Sequence, residues 1–425
     1  MFNSASTELS GKVDLGQLQS RHLLWSLGVA VLAASVFASV QDAAAFWDDQ
    51  FTPFVEEKFT RDDNVFRISK DADPAAVIGS PSREDIYRTL KMGFNFDIPV
   101  SDQRFQGALT SSNTRYQRFS NLNYDGHEMQ GVWMWQVGNR ASGRLGYSET
   151  SSLASFENTM ATAPDHLWLR QPYFNADYLL TPRWQIGVGT KEIKQQNSDP
   201  LQQVNDIDIH DTEATVRYTS PANASLGFSS QAESGEFPKP EPVSGSLVDN
   251  AYRQYSAGIV ADWTLTDASH AGGRIERSVR RYEQLPQRDF DGVTGRAEYD
   301  WKPTDKFSLS LIAQRDISPY EYISSRLVLV NGVTVSPVLR LTEKTELSGI
   351  FNNSVRDYRG DPTVVLGAAT ADRRDRVRSS MAMLSYRPTR TVLLQISAQH
   401  EKNTSNVMFG DYVANIVSAT AHFSF

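Results

Sequence analysis

Turn signals recur along this chain with a regular beat, and no other feature restricts the possible folds so tightly. They are Pro99-Val100-Ser101-Asp102, Gly138-Asn139-Arg140, Thr181-Pro182-Arg183, Ser220-Pro221-Ala222-Asn223, Thr266-Asp267-Ala268, Lys302-Pro303-Thr304-Asp305, Thr342-Glu343-Lys344 and Arg387-Pro388-Thr389-Arg390. Their centres fall 36 to 46 residues apart. Proline presets the backbone for a bend, and Asn or Asp bonds its own backbone there, so each signal reverses a hairpin. Between them lie longer polar stretches, among them Lys194–Asn205, Gln231–Asn250 and Arg356–Asp375. The pattern is tight turn, strand, long loop, strand.

The intervening segments alternate with period two. Leu90, Met92, Phe94, Phe96 and Ile98 interleave with Lys91, Gly93, Asn95 and Asp97. Tyr255, Ala257, Ile259, Ala261, Trp263 and Leu265 share one face, and Val392, Leu394, Ile396 and Ala398 share another. The last residues behave alike: Val417, Ala419, Ala421, Phe423 and Phe425 alternate with Ser418, Thr420, His422 and Ser424. Such strands have one greasy face and one wet face. Val132-Trp133-Met134-Trp135 is apolar on both faces, and Pro172 interrupts its segment. Two strands per turn, with one more before the first turn and one after the last, predict about 18 strands, the first near Phe51 to Thr60. The predicted fold is an all-β, antiparallel up-and-down transmembrane barrel with short periplasmic turns, long extracellular loops and both termini periplasmic. A β-propeller also repeats near this length, but its blades need four short strands per repeat. A β-sandwich would use the same aromatics as core.

The 425 residues include no cysteine, which excludes a disulfide framework and thiol chemistry. The formal charge of -8 argues against nucleic acid as a partner. A mean hydropathy of -0.42 suits a barrel, because half of each strand meets water. Arg21 and His22 precede an apolar run, Leu23 to Val40, which ends at Ala43-Ala44-Ala45. Residues 1–45 therefore read as a signal peptide cleaved before Phe46, and 46–425 as the barrel. The alternative is a membrane-anchoring helix.

The search for catalytic chemistry is mostly negative. The seven histidines are scattered, with no HExxH, GxSxG, Walker or GxGxxG segment. Neither a cofactor nor a catalytic residue is assigned, and the chain is not expected to be an enzyme. Asp206-Ile207-Asp208-Ile209-His210-Asp211 is the densest acidic cluster; its spacing matches no calcium loop and reads as a solvated rim, so no metal site is assigned.

The wet parity carries charges of both signs: Lys91, Asp97, Arg144, Lys191, Glu213, Arg217, Asp262, Arg274, Glu276, Arg296, Glu298, Asp300, Arg340, Glu346 and Glu401. Each would cost several kcal/mol in lipid. They are expected to line a hydrated lumen, either as a conduit or as a lumen closed by ion pairs and inserted loops. Trp184, Tyr218, Trp263, Trp301, Phe307 and Tyr386 lie close to short turns and, with Phe423 and Phe425, are expected to form an aromatic girdle at the membrane boundary.

Several short segments resemble a known family. Asp62-Asp63-Asn64-Val65-Phe66-Arg67 resembles an element of the group described as putative β-barrel porin type 2. Ser101-Asp102-Gln103-Arg104-Phe105, Asn121-Leu122-Asn123-Tyr124-Asp125-Gly126 and Ser152-Leu153-Ala154-Ser155-Phe156 resemble the EpsL-type outer-membrane proteins of exopolysaccharide operons, although Asp102 stands where that pattern has Arg. The resemblance implies a Gram-negative outer-membrane barrel with a part in exopolysaccharide biosynthesis or export, and it brings no catalytic residues. The expected partners are outer-membrane lipid and lipopolysaccharide, the barrel-assembly machinery and, under the resemblance, exopolysaccharide and export-complex proteins. The readings kept beside it are a general diffusion porin for small hydrophilic solutes and a plugged structural or binding barrel.

Overall fold

The structure, a computed structural model, describes residues 50–157, 162–243, 246–317, 327–359 and 373–425. The signal-peptide reading of residues 1–45 lies outside the described residues. Residues Thr52–Ser424 form one compact unit.

The strands are β1 (Phe51–Asp62), β2 (Asp85–Val100), β3 (Gln103–Tyr116), β4 (Tyr124–Val137), β5 (Ala141–Leu153), β6 (His166–Leu179), β7 (Trp184–Asn197), β8 (Ile207–Thr219) and β9 (Ser225–Glu236). A small hairpin follows, β10 (Glu241–Val243) and β11 (Ser246–Val248). The series continues with β12 (Tyr252–Thr266), β13 (Ser269–Tyr282), β14 (Phe290–Thr304), β15 (Phe307–Ile317), β16 (Val328–Arg340), β17 (Thr345–Tyr358), β18 (Arg374–Tyr386), β19 (Val392–Ser405) and β20 (Tyr412–Ser424).

Apart from the hairpin, these strands form one 18-stranded sheet, as the turn count predicts. Each pairs antiparallel with its neighbour in sequence, β9 passing directly to β12. The last strand closes on the first, from Phe54 opposite Ser424 to Asp62 opposite Ile416. Closure leaves this sheet without a free edge strand, so each of its 18 strands has a paired neighbour on both sides.

Tight reversals occur near all eight sequence signals. Ser101 and Asp102 make a two-residue loop between Val100 and Gln103, with Ser101 at φ 53°. Gly138 takes φ 61° and Asn223 φ 56° at two others, the left-handed backbone that such hairpins require. The sixth turn sits slightly later than the sequence places it, because β14 runs to Thr304.

The long loops differ more from expectation. β7 continues to Asn197, β9 to Glu236 and β17 to Tyr358, so each predicted loop yields residues to a strand. Gln231–Asn250 also contains the β10–β11 hairpin. The ladder explains the difference. A tilted strand needs about 9–11 residues to cross hydrocarbon, whereas β2 has 16; the surplus is polar but still paired. Pro172 stays within β6, where the pairing with β7 omits Gln171 and Pro172 and resumes at Tyr173 opposite Lys191.

Side-chain parity divides the barrel. The outward parity is apolar in the middle of the strands: Val188, Phe228, Ile259, Ile275 and Ile396 are each more than half exposed. The buried apolar groups gather at the long-loop end. One cluster joins Ile193, Ile207, Ile209, Tyr252, Tyr282 and Phe290 on strands to Phe237, Leu285 and Leu327 from loops. A second joins Val65, Phe66 and Ile68 of the β1–β2 connection to Phe119, Leu122 and Phe156. The long loops thus have their own cores at the barrel's mouth. This differs from a lumen that is polar throughout.

Candidate functional site

The candidate site is the lumen. A cavity of about 740 Å³ occupies its short-turn half, lined from β3 to β8 by Arg104, Met134, Gln136, Ser142, Arg144, Asn175, Asp177, Gln185, Glu213 and Arg217. A second, of about 500 Å³, lies nearer the long loops. Residues from β7 round to β19 line it, including Lys191, Asp211, Glu233, Arg274, Asp316, Asn352, Arg356 and Glu401. Strands on facing walls therefore share this one cavity, so the lumen narrows here. A smaller cavity of about 230 Å³ lies beside Arg217, Asp262, Arg274, Arg296 and Glu298.

Arg144, Lys191, Glu213, Arg217, Asp262, Arg274, Arg296, Glu298 and Glu401 line these cavities. Lys91, Asp97, Glu276, Asp300, Arg340 and Glu346 share their strands' parity with cavity-lining residues. Most of the charges meet a partner, either across a ladder or two residues along the same strand. Asp97 meets Arg104, and Arg340 and Glu346 lie 3.8 Å apart. Arg274 is 3.7 Å from Glu276, Arg296 is 3.6 Å from Glu298, and Lys191 is 3.4 Å from Asp211. His270 Nε2 lies 3.0 Å from Asp262. Side chains held in a ladder of alternating sign stay hydrated on one flank and neutralised on the other. Arg144 and Arg217 have no ion pair among the described residues.

Arg104 and Asp177 were missed by the sequence reading, although Arg104 lies in the Ser101–Phe105 segment and alternation alone could have found it. The buried ionic network of the roof was also missed. Tyr252 Oη and Arg280 Nη2 both donate to Glu233 Oε1, at 2.8 and 2.9 Å, and the Arg280 guanidinium stacks 3.9 Å from the Tyr252 ring centre. Arg356 Nη2 donates to Glu157 Oε1 at 2.7 Å, joining β17 to the β5–β6 loop. No local pattern announces these, because the partners are far apart in sequence.

The Asp62–Arg67 segment works as a staple. Arg67 donates to Asp62 at 2.8 Å and lies 3.9 Å from Glu401. Asn64 Nδ2 donates at 2.9 Å to the carbonyls of both Ile68 and Val413, and its Oδ1 accepts from the Ile68 amide at 3.1 Å. One short motif thereby ties the end of β1, the following loop and β20 together. In the acidic cluster each carboxylate has its own partner: Asp206 accepts from the Asn197 amide at 2.7 Å, Asp208 faces Lys194 at 3.4 Å and Asp211 faces Lys191. On the rim, Asp165 accepts from the Ser198 and Asp199 amides at 2.8 and 2.9 Å. Burial pushes its carboxyl above the ordinary value, and those hydrogen bonds pull it part of the way back.

The girdle residues lie on the outward parity beside short turns. Trp184 stands opposite Tyr218, with ring centres 5.2 Å apart. Trp301 meets Phe307 edge-on at 6.2 Å. Trp263 and Tyr386 are exposed, and Phe423 stands opposite Val392. Phe425 follows the last strand residue, Ser424. Phe105 and Trp133, stacked at 5.9 Å, extend the same band and were not foreseen.

The C-terminal third of the chain, residues 278–425, matches the family model described as "Putative beta-barrel porin 2". No curated protein matches the sequence. Among solved structures, the outer membrane protein opdK from Pseudomonas aeruginosa is 10% identical, with 88% of this chain and 99% of that chain covered and a TM-score of 0.47. OccK2 (OpdF) from the same organism is 10% identical, covers 89% and 98%, and has a TM-score of 0.47. OccAB3 from Acinetobacter baumannii is 10% identical, covers 89% and 99%, and has a TM-score of 0.45.

Proposed function

We propose that this barrel sits in a Gram-negative outer membrane and serves as a passive pore for small hydrophilic solutes. The observation that carries the reading is the opposition of the two faces: an exposed apolar belt outside, and cavities of about 740 and 500 Å³ with charged and amide walls inside. An apolar belt of this extent needs hydrocarbon. Walls carrying Arg, Asp, Gln and Asn exchange hydrogen bonds with a passing solute and with water at little net cost. The paired charges give a pore tolerant of neutral sugars and small ions. Around the larger cavity Arg104, Arg144 and Arg217 are balanced by Asp102, Asp177 and Glu213, so neither ion sign is strongly favoured.

The exopolysaccharide role rests on sequence resemblance alone. The narrowing at the second cavity and the loop cores above it suit small solutes better than a long polymer. The deciding experiment is reconstitution of the full chain in planar bilayers and sugar-loaded liposomes. Step conductance, with swelling by mono- and disaccharides and none by long oligosaccharides, is the expected result. Substituting Arg144→Gln and Arg217→Gln together should move the reversal potential in a salt gradient toward cation preference. A barrel that inserts but passes neither ions nor sugars refutes the pore reading and favours a plugged binding barrel.

A further inference from the structure

The outward face near the long loops carries a basic patch in which, among the described residues, only one arginine meets a carboxylate. Arg374, Arg376 and Arg378 alternate along β18 with Asp375 and Val377, both of which are buried. Val377 lines the lumen, so the three arginines share the opposite, outward parity, and all three are exposed. On β19 the exposed Lys402 stands directly opposite Arg378. Across the other ladder, Arg378 faces Asn353 and Arg376 faces Val355; only Arg374 meets a carboxylate, Asp357, at 3.2 Å.

Elsewhere around this rim, several outward arginines meet acids. Arg61 meets Glu84 at 2.9 Å, Arg115 meets Asp125 at 2.9 Å, Arg170 meets Glu149 at 3.3 Å and Arg277 meets Asp291 at 3.1 Å. Among the described residues Arg376, Arg378 and Lys402 have no ion pair. Like charges placed directly opposite on a ladder repel, so the arrangement is unfavourable unless an anion joins it. Guanidinium groups offer planar forks that match phosphate oxygens.

Toward the short turns, beyond Ser380 opposite His400, the same face of the two strands becomes greasy. Ala382 stands opposite Ala398 and Leu384 opposite Ile396, with Leu384 and Ile396 exposed. A cationic patch thus sits one residue pair above an apolar surface, on the same face.

We propose that Arg376, Arg378 and Lys402 form a docking site for a phosphorylated lipid of the surrounding leaflet. Its phosphate lies between the guanidinium and ammonium groups, and its acyl chains lie along Leu384 and Ile396. The proposal rests on the membrane reading above but not on pore activity.

The test measures binding of fluorescent bisphosphorylated lipid A to the full-length refolded chain in non-ionic detergent. Comparison is made with the R376Q/R378Q/K402Q variant and with R253Q/R277Q/R281Q, a control that removes equal charge from another part of the rim. The patch variant should weaken binding about tenfold or more, with the control within about twofold. On the native chain, lipid A stripped of both phosphates should lose affinity to a similar degree, an arm that does not depend on any variant folding. Unchanged binding in the patch variant, equal loss in both variants or indifference to the phosphates overturns the site. Complete competition by millimolar inorganic phosphate would show a free-anion site and overturn the lipid assignment. Bilayer conductance of the patch variant should be unchanged, so loss of lipid binding with an intact pore, or the reverse, shows which proposal fails.

Discussion

Replacing Arg288 by Met should open the roof of the lumen. Arg288 lies in the β13–β14 loop and is only 1% exposed. Its guanidinium donates to Glu241 Oε2 at 2.9 Å and to the side-chain oxygen of Asn250, which is itself fully buried. Asn250 Nδ2 in turn donates to the same Glu241 oxygen at 2.9 Å. One cation therefore joins the β10–β11 hairpin to the neighbouring loop, over the cluster that includes Leu285 and Phe290. Removing one partner of a buried pair costs about 3–5 kcal/mol. The Glu241 side chain remains 20% exposed, so water recovers part of that, and about 3 kcal/mol is the working figure. Each 1.4 kcal/mol is tenfold, so the population with this roof open should rise on the order of a hundredfold. Limited proteolysis between β9 and β12 measures that population, and single-channel recordings should show larger or noisier conductance. The double variant R288M/E241Q should recover part of the loss, because no uncompensated carboxylate remains. If the single variant matches the native chain in cleavage rate and in conductance, the hairpin is held by something else and the reasoning fails.

Asn64→Ala removes two donated hydrogen bonds and one accepted bond at a buried site; it should lower stability by about 2–4 kcal/mol, read as a lower temperature for loss of the folded band in heat-shifted electrophoresis. Gly146→Val should be worse than Gly131→Val, because an added Cβ at Gly146 would collide with the ring of Tyr173 on the paired strand while Gly131 faces open space; the expected cost is about 1–3 kcal/mol, measured by the same shift. Asp165 gives a pH dependence: its folded pKa is raised, so the folded state binds its proton first, and this site's contribution to stability declines as pH rises from the ordinary carboxylate value through the raised one. Asp165→Asn should flatten that slope in amide exchange at Ser198 and Asp199; an unchanged slope would mean another group titrates.

The membrane reading gives a physical account of why so much of the barrel was legible. A hairpin turn depends on a few adjacent residues, and strand faces depend on period two, so both are written locally. Val100-Ser101-Asp102-Gln103 and Leu384-Ser385-Tyr386 specify their turn and their facing without reference to distant parts of the chain. Inward parity and girdle position follow from the same count. Strand ends were less legible, because Asn197, Glu236 and Tyr358 stay paired by a neighbour's ladder even where their own sequence has turned polar.

By itself, then, the sequence of this protein determined the number of strands in the barrel, their order and which side chains face the same way, since each follows from contacts within a few residues. Only the tertiary structure decided who meets whom. Arg67 reaches Glu401 because closure brings β1 beside β20, and Arg356 reaches Glu157 because a loop bends over the lumen. The basic face of β18 and β19 likewise emerges only when register sets Lys402 against Arg378. Pairing energies act through space, and the register and curvature that set those distances are properties of the closed sheet as a whole.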